Sequence, residues 1–198
     1  DATNYPSAIS GLNADLTLDF IDLTDCEGPF FMRGGSTTLR DSLIHIPHTG
    51  DGINVKQGQA VTRRCTFLGN NAPDTDAIDY DGVVNGIIED CRIYRFQGSN
   101  SDGVDIGEAC SNILIQGNLV YFNSDKGFSV GQASSVTLRR NLVVGCSLGI
   151  GIKDTGSFAT IDQNTFVGCE VGVDIYEKNF GDGGGAAGGV ALHGRVHE

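Results

Sequence analysis

The chain lacks several features that would place it in common protein classes. It has no run of about 20 apolar residues, so it offers no transmembrane helix. Lys and Arg number 13 against 25 Asp and Glu, and the net charge of -12 argues against binding to nucleic acid or to an anionic membrane, because both attract basic surfaces. Its 6 cysteines include no CxxC pair and no Cys/His cluster, which excludes the usual zinc sites. No long stretch has the 3.6-residue period of a helix.

What the chain has is a repeated phrase in which two apolar residues flank a variable one. Its six copies are GINV at 52–55, AIDY at 77–80, GVDI at 103–106, GFSV at 127–130, GIGI at 149–152 and GVDI at 172–175. Successive copies are 25, 26, 24, 22 and 23 residues apart. A nearly constant period of this length predicts a stack of similar structural units.

Each unit holds three short strand-like segments, separated by Gly, Asn, Asp and Ser. Three strands in each repeat predict an all-β fold, a single-stranded right-handed parallel β-helix (solenoid) of about eight coils. Leucine-rich repeats have a similar period but need a leucine frame that this chain lacks. We predict that residues 1–180 form the β-helix domain with an N-terminal cap at about 1–15, and that residues 181–198 form a Gly-rich linker or tail.

Amide and thiol side chains recur in step with this period. Asn118, Asn141 and Asn164 are spaced 23 residues apart and predict a ladder of stacked amides. Cys65 and Cys91 occupy the same position in earlier coils, so we expect them to be small buried members of the stack. Stacked cysteines lie close enough for disulfides, but their parallel side chains suit the required dihedral poorly, so free thiols are favoured.

Carboxylates gather on one predicted outer face. If the apolar residues of each phrase point inward, the residue between them points outward, which places Asp79 and Asp105 side by side. Asp81 belongs to the adjacent row, while Asp76 and Asp102 precede their strands. Like charges about 4.8 Å apart repel unless something neutralises them.

Three interpretations of this acidic patch stay open. Calcium would be held by Asp76, Asp79, Asp102 and Asp105, because paired carboxylates suit its loose coordination. The carboxylates could instead accept hydrogen bonds from sugar hydroxyls. A purely structural role at turns is favoured for Asp51, Asp76 and Asp102, whereas Asp79 and Asp105 lie within strands, where Asp is disfavoured. We therefore expect either no cofactor or calcium.

Aromatic side chains supply a second candidate surface. Tyr94 and Tyr121 occupy equivalent positions in neighbouring coils and are closely followed by Phe96 and Phe122. Rings held on rigid strands can offer flat apolar faces to sugar rings. We expect the tyrosines to be exposed and the two phenylalanines to form an internal stack at a corner.

The repeated phrase, the asparagine ladder and the segment NSDGVDIG at 100–107 resemble the pectate-lyase-like superfamily of right-handed parallel β-helices, over about Phe30 to Tyr176. The resemblance implies a polysaccharide ligand and a site on the outward face of the first strand of each coil. The NSD at 100–102 matches only the first motif of polygalacturonase-like hydrolases, so their acid and base are incomplete. A lyase of this superfamily would need a basic residue, for which Lys126 and Lys153 are candidates.

These observations favour binding over catalysis, because the predicted connections are short and a flat face rarely encloses a transition state. We predict a noncatalytic carbohydrate-binding module that is secreted or extracellular, recognises a neutral plant cell-wall polysaccharide such as xylan and targets an attached glycan-degrading enzyme. No catalytic residue is assigned. The predicted contacts to carbohydrate are Asp79, Asp81, Asp105, Tyr94, Tyr121, Lys126 and Lys153.

Two alternatives to this function stay open. One is a small calcium-dependent polysaccharide lyase or a polygalacturonase-like enzyme, and the other is a structural β-helix surface domain. The chain has no initiator Met and no signal peptide, so we expect a mature or excised segment. Neither nucleic acid nor a membrane is an expected partner.

Overall fold

The structure, a computed structural model, describes residues 7–26, 28–46, 48–178 and 189–193. Within these ranges the chain forms 22 β-strands, which pair in parallel with their counterparts one repeat away. Each coil contributes one strand to each of three sheets, called A, B and C in chain order. This arrangement confirms the predicted right-handed parallel β-helix.

The strands stack in a regular order. Sheet A contains β1 (Ser7–Leu12), β4 (Gly28–Arg33), β7 (Ile53–Arg63), β9 (Ile78–Val83), β12 (Val104–Gly107), β15 (Lys126–Val130), β18 (Leu148–Lys153) and β21 (Val171–Tyr176). Sheet B contains β2 (Leu16–Asp19), β5 (Ser36–Arg40), the second half of β7, β10 (Ile87–Glu89), β13 (Ile113–Gln116), β16 (Ser135–Arg139), β19 (Phe158–Asp162) and β22 (Gly189–His193). Sheet C contains β3 (Asp22–Leu23), β6 (Leu43–His45), β8 (Thr66–Leu68), β11 (Arg92–Tyr94), β14 (Leu119–Tyr121), β17 (Leu142–Val144) and β20 (Thr165–Val167).

We number the coils 1 to 8 by their strands in sheet A. The described residues give seven complete coils and the start of an eighth, in line with the expected number. No helix in the described part of the chain is long and apolar enough to cross a membrane.

The two ends of the described chain differ in detail from the predicted boundaries. Strand β1 lies within the segment assigned to a cap, yet it pairs with β4 and forms the first rung of sheet A. Strand β22 lies within the segment assigned to a tail, yet it pairs with β19 in sheet B. Both segments can pair because their neighbours present open edges of backbone donors and acceptors. Residues 1–6 of the predicted cap, 179–180 at the end of the predicted β-helix domain, and 181–188 and 194–198 of the predicted tail lie outside the described residues.

The interior is filled by the apolar residues of the repeated phrase. Fully buried side chains include Ile53, Val55, Ile78, Tyr80, Val104, Ile106, Phe128, Val130, Ile150 and Ile152. Burial of such a side chain contributes about 1.5–3 kcal/mol to folding. Tyr80 keeps its hydroxyl paired by a 2.7 Å hydrogen bond with the hydroxyl of Thr62, so the core accommodates this polar group.

Each turn from sheet B to sheet C repeats one backbone device. A residue in the left-handed region ends the sheet B strand, and its φ lies between 50° and 68° at Phe20, Asp41, Arg64, Asp90, Gly117, Arg140 and Gln163. From Asp41 onward, the next residue joins a vertical stack, which runs through Ser42, Cys65, Cys91, Asn118, Asn141 and Asn164. The turn therefore aims every stacked side chain in the same direction.

Hydrogen bonds confirm the predicted asparagine ladder. The Oδ1 atom of Asn141 accepts the backbone N–H of Asn118 at 3.0 Å, and the Oδ1 atom of Asn164 accepts that of Asn141 at 3.0 Å. The Nδ2 atom of Asn141 donates to the carbonyl of Ile115 at 3.0 Å. Below the ladder, Cys65 and Cys91 are buried, and all six cysteines are free thiols.

Candidate functional site

The outer face of sheet A carries a row of side chains that changes character along the solenoid. Strand register places one residue per coil in this row, in the order Ser10, Phe31, Asn54, Asp79, Asp105, Ser129, Gly151 and Asp174. A second row follows the order Leu12, Arg33, Lys56, Asp81 and Gly107. The predicted adjacency of Asp79 and Asp105 is confirmed, because β9 and β12 pair at these two residues.

An open groove lies over coils 1 to 3 of this face. It has a volume of about 1100 Å³, and its floor includes Ser10, Phe31 and Asn54. Thr49, Gly50, Asp51, Pro73 and Asp74, from turns between sheets C and A, also line it. The half-buried ring of Phe31 therefore lies on a rigid strand, in an open concave surface with polar edges.

Asn54 links this groove to the carboxylates of coil 4. Its Nδ2 atom donates to Asp51 at 2.9 Å and to Asp79 at 2.5 Å. Its Oδ1 atom is buried and has no hydrogen-bond partner among the described residues. Buried polar atoms are nearly always paired with protein or water, so this acceptor lacks the partner that such atoms normally have.

The carboxylates at the corner before sheet A form a staircase of hydrogen bonds. Asp51 accepts the backbone N–H of Asp76 at 3.0 Å, Asp76 accepts that of Asp102 at 2.5 Å, and Asp102 accepts that of Lys126 at 2.9 Å. Each side chain thus holds the backbone of the next coil. These contacts agree with the favoured structural role of the corner residues, although the bonds reach the adjacent coil rather than the residue's own turn.

Burial and mutual repulsion make this face difficult to ionise. Burial, together with the charges of Asp102 and Asp51, raises the pKa of Asp76 well above its ordinary value. Burial and the charges of Asp51, Asp81 and Asp105 likewise raise the pKa of Asp79 well above its ordinary value. Burial also raises the pKa of Asp102 to about 6, even though the nearby ammonium of Lys126 opposes the shift. Part of this cluster therefore takes up protons under mildly acidic conditions.

Two buried lysines, Lys126 and Lys153, neutralise the carboxylates of Asp102 and Asp105. Their exposed fractions are only 2% and 7%. The Nζ atom of Lys126 lies 3.3 Å from Asp102 and also contacts Asp125, while that of Lys153 lies 3.4 Å from Asp105. Their stems can lie flat because glycines face them: a Cβ on Gly151 would come within 2.8 Å of the Lys126 stem, and one on Gly131 within 2.7 Å of the Lys153 stem.

This burial bears on the predicted role of the lysines as ligand contacts. Each ammonium already faces a carboxylate. Burial lowers the pKa of Lys126, but the charges of Asp102 and Asp125 raise it by more, so Lys126 keeps its positive charge. The side chains consequently have little surface to offer a glycan. Asp81 is similarly engaged, since it pairs with Lys56.

The two predicted tyrosines lie in sheet C, apart from the sheet A carboxylates. Tyr94 and Tyr121 pair across β11 and β14, and their rings stack with centroids 4.8 Å apart and planes within 4°. The face of each ring that meets the other is therefore covered. The predicted contact residues thus belong to two different sheets rather than to one wall.

The expected internal stack of Phe96 and Phe122 is wrong. Phe96 is fully buried, whereas 51% of Phe122 is exposed and its ring meets the edge of Tyr121. The reason is register: Phe122 directly follows its strand, while Phe96 comes one residue later and lies opposite Asn123, whose Oδ1 accepts the Phe96 backbone N–H at 3.1 Å. A shift of one residue sends the side chain to the other side of the chain.

The residues predicted to bind calcium do not converge on a common point. Asp102 and Asp105 face lysines, Asp79 accepts from Asn54, and Asp76 accepts a backbone N–H. Within the described ranges, no group of three or more His, Cys, Asp or Glu side chains is arranged to hold a metal ion. Calcium binding stays a prediction that these contacts do not favour.

Sequence reasoning missed Phe31, the aromatic residue of the groove. The available signal was its setting in PFFMR at 29–33, where the inward Phe30 and Met32 flank it as Ile53 and Val55 flank Asn54. The irregular spacing of this copy from the others hid the equivalence. The open groove itself depends on turns whose shapes the repeat does not specify.

Comparison with known families agrees with this architecture. Residues 8–181 match the family described as right handed beta helix region. No curated protein matches the chain, and no solved structure does.

Proposed function

Since the chain belongs to the right-handed β-helix family, we propose that it binds a neutral polysaccharide along the outer face of sheet A, with coils 1 to 4 as the contact region. The observation that carries this proposal is the sequence of groups in the first outer row. The ring of Phe31 is followed by the amide side chain of Asn54 and then by the carboxylate of Asp79. An apolar ring beside hydrogen-bond acceptors matches the two kinds of surface on a sugar, its C–H face and its hydroxyls.

The charge of the groove supports a neutral ligand. Asp51 and Asp74 line its edge and Asp79 adjoins it, while the lining residue Lys56 is already paired with Asp81, so an acidic polymer would be repelled. Sugar hydroxyls, by contrast, can donate to carboxylates without bringing charge. A xylan-like chain from plant cell walls has this chemistry and remains the proposed ligand.

Phe31→Ala is expected to weaken binding to xylan by about 30-fold, because an aromatic residue at the centre of a contact surface commonly carries this share of the affinity. Affinity electrophoresis in gels containing xylan measures the change as a loss of retardation. Phe31→Tyr should retain most of the binding, since it keeps the ring.

Phe20→Ala is the matched control for this experiment. Phe20 is 82% exposed and lies outside the groove, so its replacement removes the same ring from another surface. Equal retardation of the wild type and Phe31→Ala would contradict the proposed groove. Retardation by polygalacturonate but not by xylan would contradict a neutral ligand.

The noncatalytic role belongs to the same proposal. A polysaccharide-binding β-helix of this kind would act outside the cell and direct an attached glycan-degrading domain to its substrate. Incubation of the purified chain with xylan and with polygalacturonate, with and without a chelator, tests this assignment. Release of reducing ends or of unsaturated sugars would replace it with a hydrolase or a lyase.

A further inference from the structure

The corner between sheets C and A carries a second cavity, and we propose that it binds an anionic group, a carboxylate or a sulfate ester, on a branch of the bound glycan. The cavity has a volume of about 500 Å³ and is lined by Gly69, Asn70, Asn71, Arg95, Gln97 and Phe122. We call it the corner pocket. This inference rests on the proposed function and specifies the branches that the glycan carries.

The two largest side chains of the corner pocket share one backbone conformation. Arg95 and Phe122 directly follow the sheet C strands of neighbouring coils, as Gly145 and Gly168 do in the next two. All four have a positive φ, of 64°, 58°, 63° and 64°. Glycine adopts this conformation without cost, whereas arginine and phenylalanine do not. The left-handed turn at this corner thus places an exposed guanidinium and an exposed aromatic ring side by side, where the next two coils have only glycine.

The charge of Arg95 is uncompensated within the described residues. Arg40, Arg63 and Arg64 each pair with a carboxylate, but Arg95 makes no salt bridge and no side-chain hydrogen bond there. A guanidinium that no carboxylate occupies is free to pair with an anionic ligand, which the three paired arginines are not. Its planar fork matches the two oxygens of a carboxylate or a sulfate.

The walls of the corner pocket are fixed in place. Gly69 packs so closely on buried Phe96 that a Cβ there would lie 2.5 Å from the Phe96 ring. Gln97 donates its backbone N–H to the carbonyl of Asn70 at 2.7 Å and its side-chain amide to the carbonyl of Phe122 at 3.4 Å. The pocket therefore needs little ordering before a ligand binds.

The ring of Phe122 is also held. It packs at 79° against the ring of Tyr121 with centroids 5.7 Å apart, and it lies against Gly145, where a Cβ would come within 2.8 Å of it. A sugar ring can rest on the remaining exposed surface while its anionic group reaches Arg95. The stacked tyrosines, predicted from the sequence as carbohydrate contacts, support this site through Tyr121.

One turn connects the corner pocket with the sheet A groove. The segment from 69 to 74 lines the pocket through Gly69, Asn70 and Asn71, and lines the groove through Pro73 and Asp74. A branch that leaves a chain in the groove has to cross only this turn. A neutral main chain with anionic branches would thus engage both surfaces, while a uniformly acidic chain would meet the carboxylates of sheet A.

Isothermal titration with matched oligosaccharides tests the proposal. The probes are a linear xylo-oligosaccharide and the same oligosaccharide carrying one glucuronic acid, one sulfate ester or one neutral glucose branch. Wild-type protein is expected to bind one or both anionic probes about tenfold more tightly than the glucose-branched one, as one charge-assisted contact permits. The glucuronate and sulfate probes distinguish the two sources of the anion.

The decisive variant is Arg95→Gly, with Arg140→Gly as its control. Arg140 is also exposed and has a φ of 54°, but it lies at the corner between sheets B and C, so the control makes the same change of charge and backbone elsewhere. Arg95→Gly should abolish the preference for the anionic probes, and Arg140→Gly should preserve it. Because both substitutions relieve the same strain, neither should impair folding.

Two results would overturn the proposal. One is equal affinity of the wild type for the anionic and glucose-branched probes, and the other is an anionic preference that survives Arg95→Gly. Failure of the proposed function gives a different result, in which the linear probe does not bind or binds Phe31→Ala equally well. An Arg95-dependent affinity for the anionic probes would then still support the corner pocket, and binding of no probe would overturn both.

Discussion

Replacing Asn141 with Ala is expected to lower the free energy of unfolding by about 4 kcal/mol, because buried polar groups left unpaired cost about 1–3 kcal/mol each. Asn141 is 2% exposed, and its Oδ1 accepts hydrogen bonds from both the backbone N–H and the Nδ2 of Asn118, each at 3.0 Å. Its removal would strand these donors and the carbonyl of Ile115. Denaturant unfolding followed by circular dichroism measures the loss.

Asn71→Ala provides the control for the ladder. Asn71 is exposed and lies outside the stack, so its replacement should change the unfolding free energy by less than about 0.5 kcal/mol. A loss below about 1 kcal/mol for Asn141→Ala would mean that neighbouring groups or water satisfy the stranded donors. The ladder would then be a consequence of stacking rather than a support for it.

The second large effect is an increase in stability as the pH falls from about 8 to about 5. Burial raises the pKa of Asp102 to about 6 from its ordinary value of 3.8. The folded protein therefore holds a proton that the unfolded chain releases between these values, and folding is favoured at the lower pH. The full difference of about two pH units corresponds to about 3 kcal/mol for this residue, of which about half is gained by pH 5 and the rest as the pH approaches the ordinary pKa.

An exposed ion pair changes stability with pH in the opposite direction. Hydrogen bonding to Arg64 lowers the pKa of Asp41, so its contribution is present above the ordinary pKa and is lost only in stronger acid. Thermal unfolding should consequently show a maximum at about pH 4, where the gain from Asp102 ends and the loss from Asp41 begins. A melting temperature that stays constant or rises between pH 5 and about pH 8 would contradict the charge repulsion inferred for sheet A.

Asp76→Asn separates the contribution of the sheet A carboxylates to the pH dependence from that of the other ionisable groups. The amide oxygen can still accept the backbone N–H of Asp102, but the buried negative charge is gone. We expect the variant to be more stable than the wild type near neutral pH and its pH dependence to be flatter. Asp41→Asn, which removes an exposed paired carboxylate, should give no such gain. Calcium would stabilise the wild type and not Asp76→Asn if these carboxylates held it.

The fold was predictable because each coil repeats the same physical solution. Ile53 and Val55 recur as Ile78 and Tyr80 and again as Val104 and Ile106, and their alternation fixes which side of the strand is buried. The spacing of Asn118 and Asn141 fixes the register of successive coils. Patterns of this kind survive in a sequence because every unit must satisfy the same neighbours.

The candidate site was less predictable because it depends on where the pattern fails. Asp79 and Asp105 were placed correctly, since strand register alone makes them neighbours. The burial of Lys126 could not be predicted, because it depends on the missing side chain of Gly151 in another coil. The exposure of Phe122 depends on a single left-handed residue, and such conformations leave little trace in composition.

The carboxylate staircase also has a direction and an end. Aspartate can receive the amide of the coil above, but the lysine that occupies the next step can only donate, so the series closes at Lys126. An extra repeat inserted below this point could copy the aspartate and extend the series, whereas one inserted above it would find no receiving oxygen. Duplication of a repeat can therefore lengthen the carboxylate staircase only on its amino-terminal side. Lys126 ends the staircase on the other side.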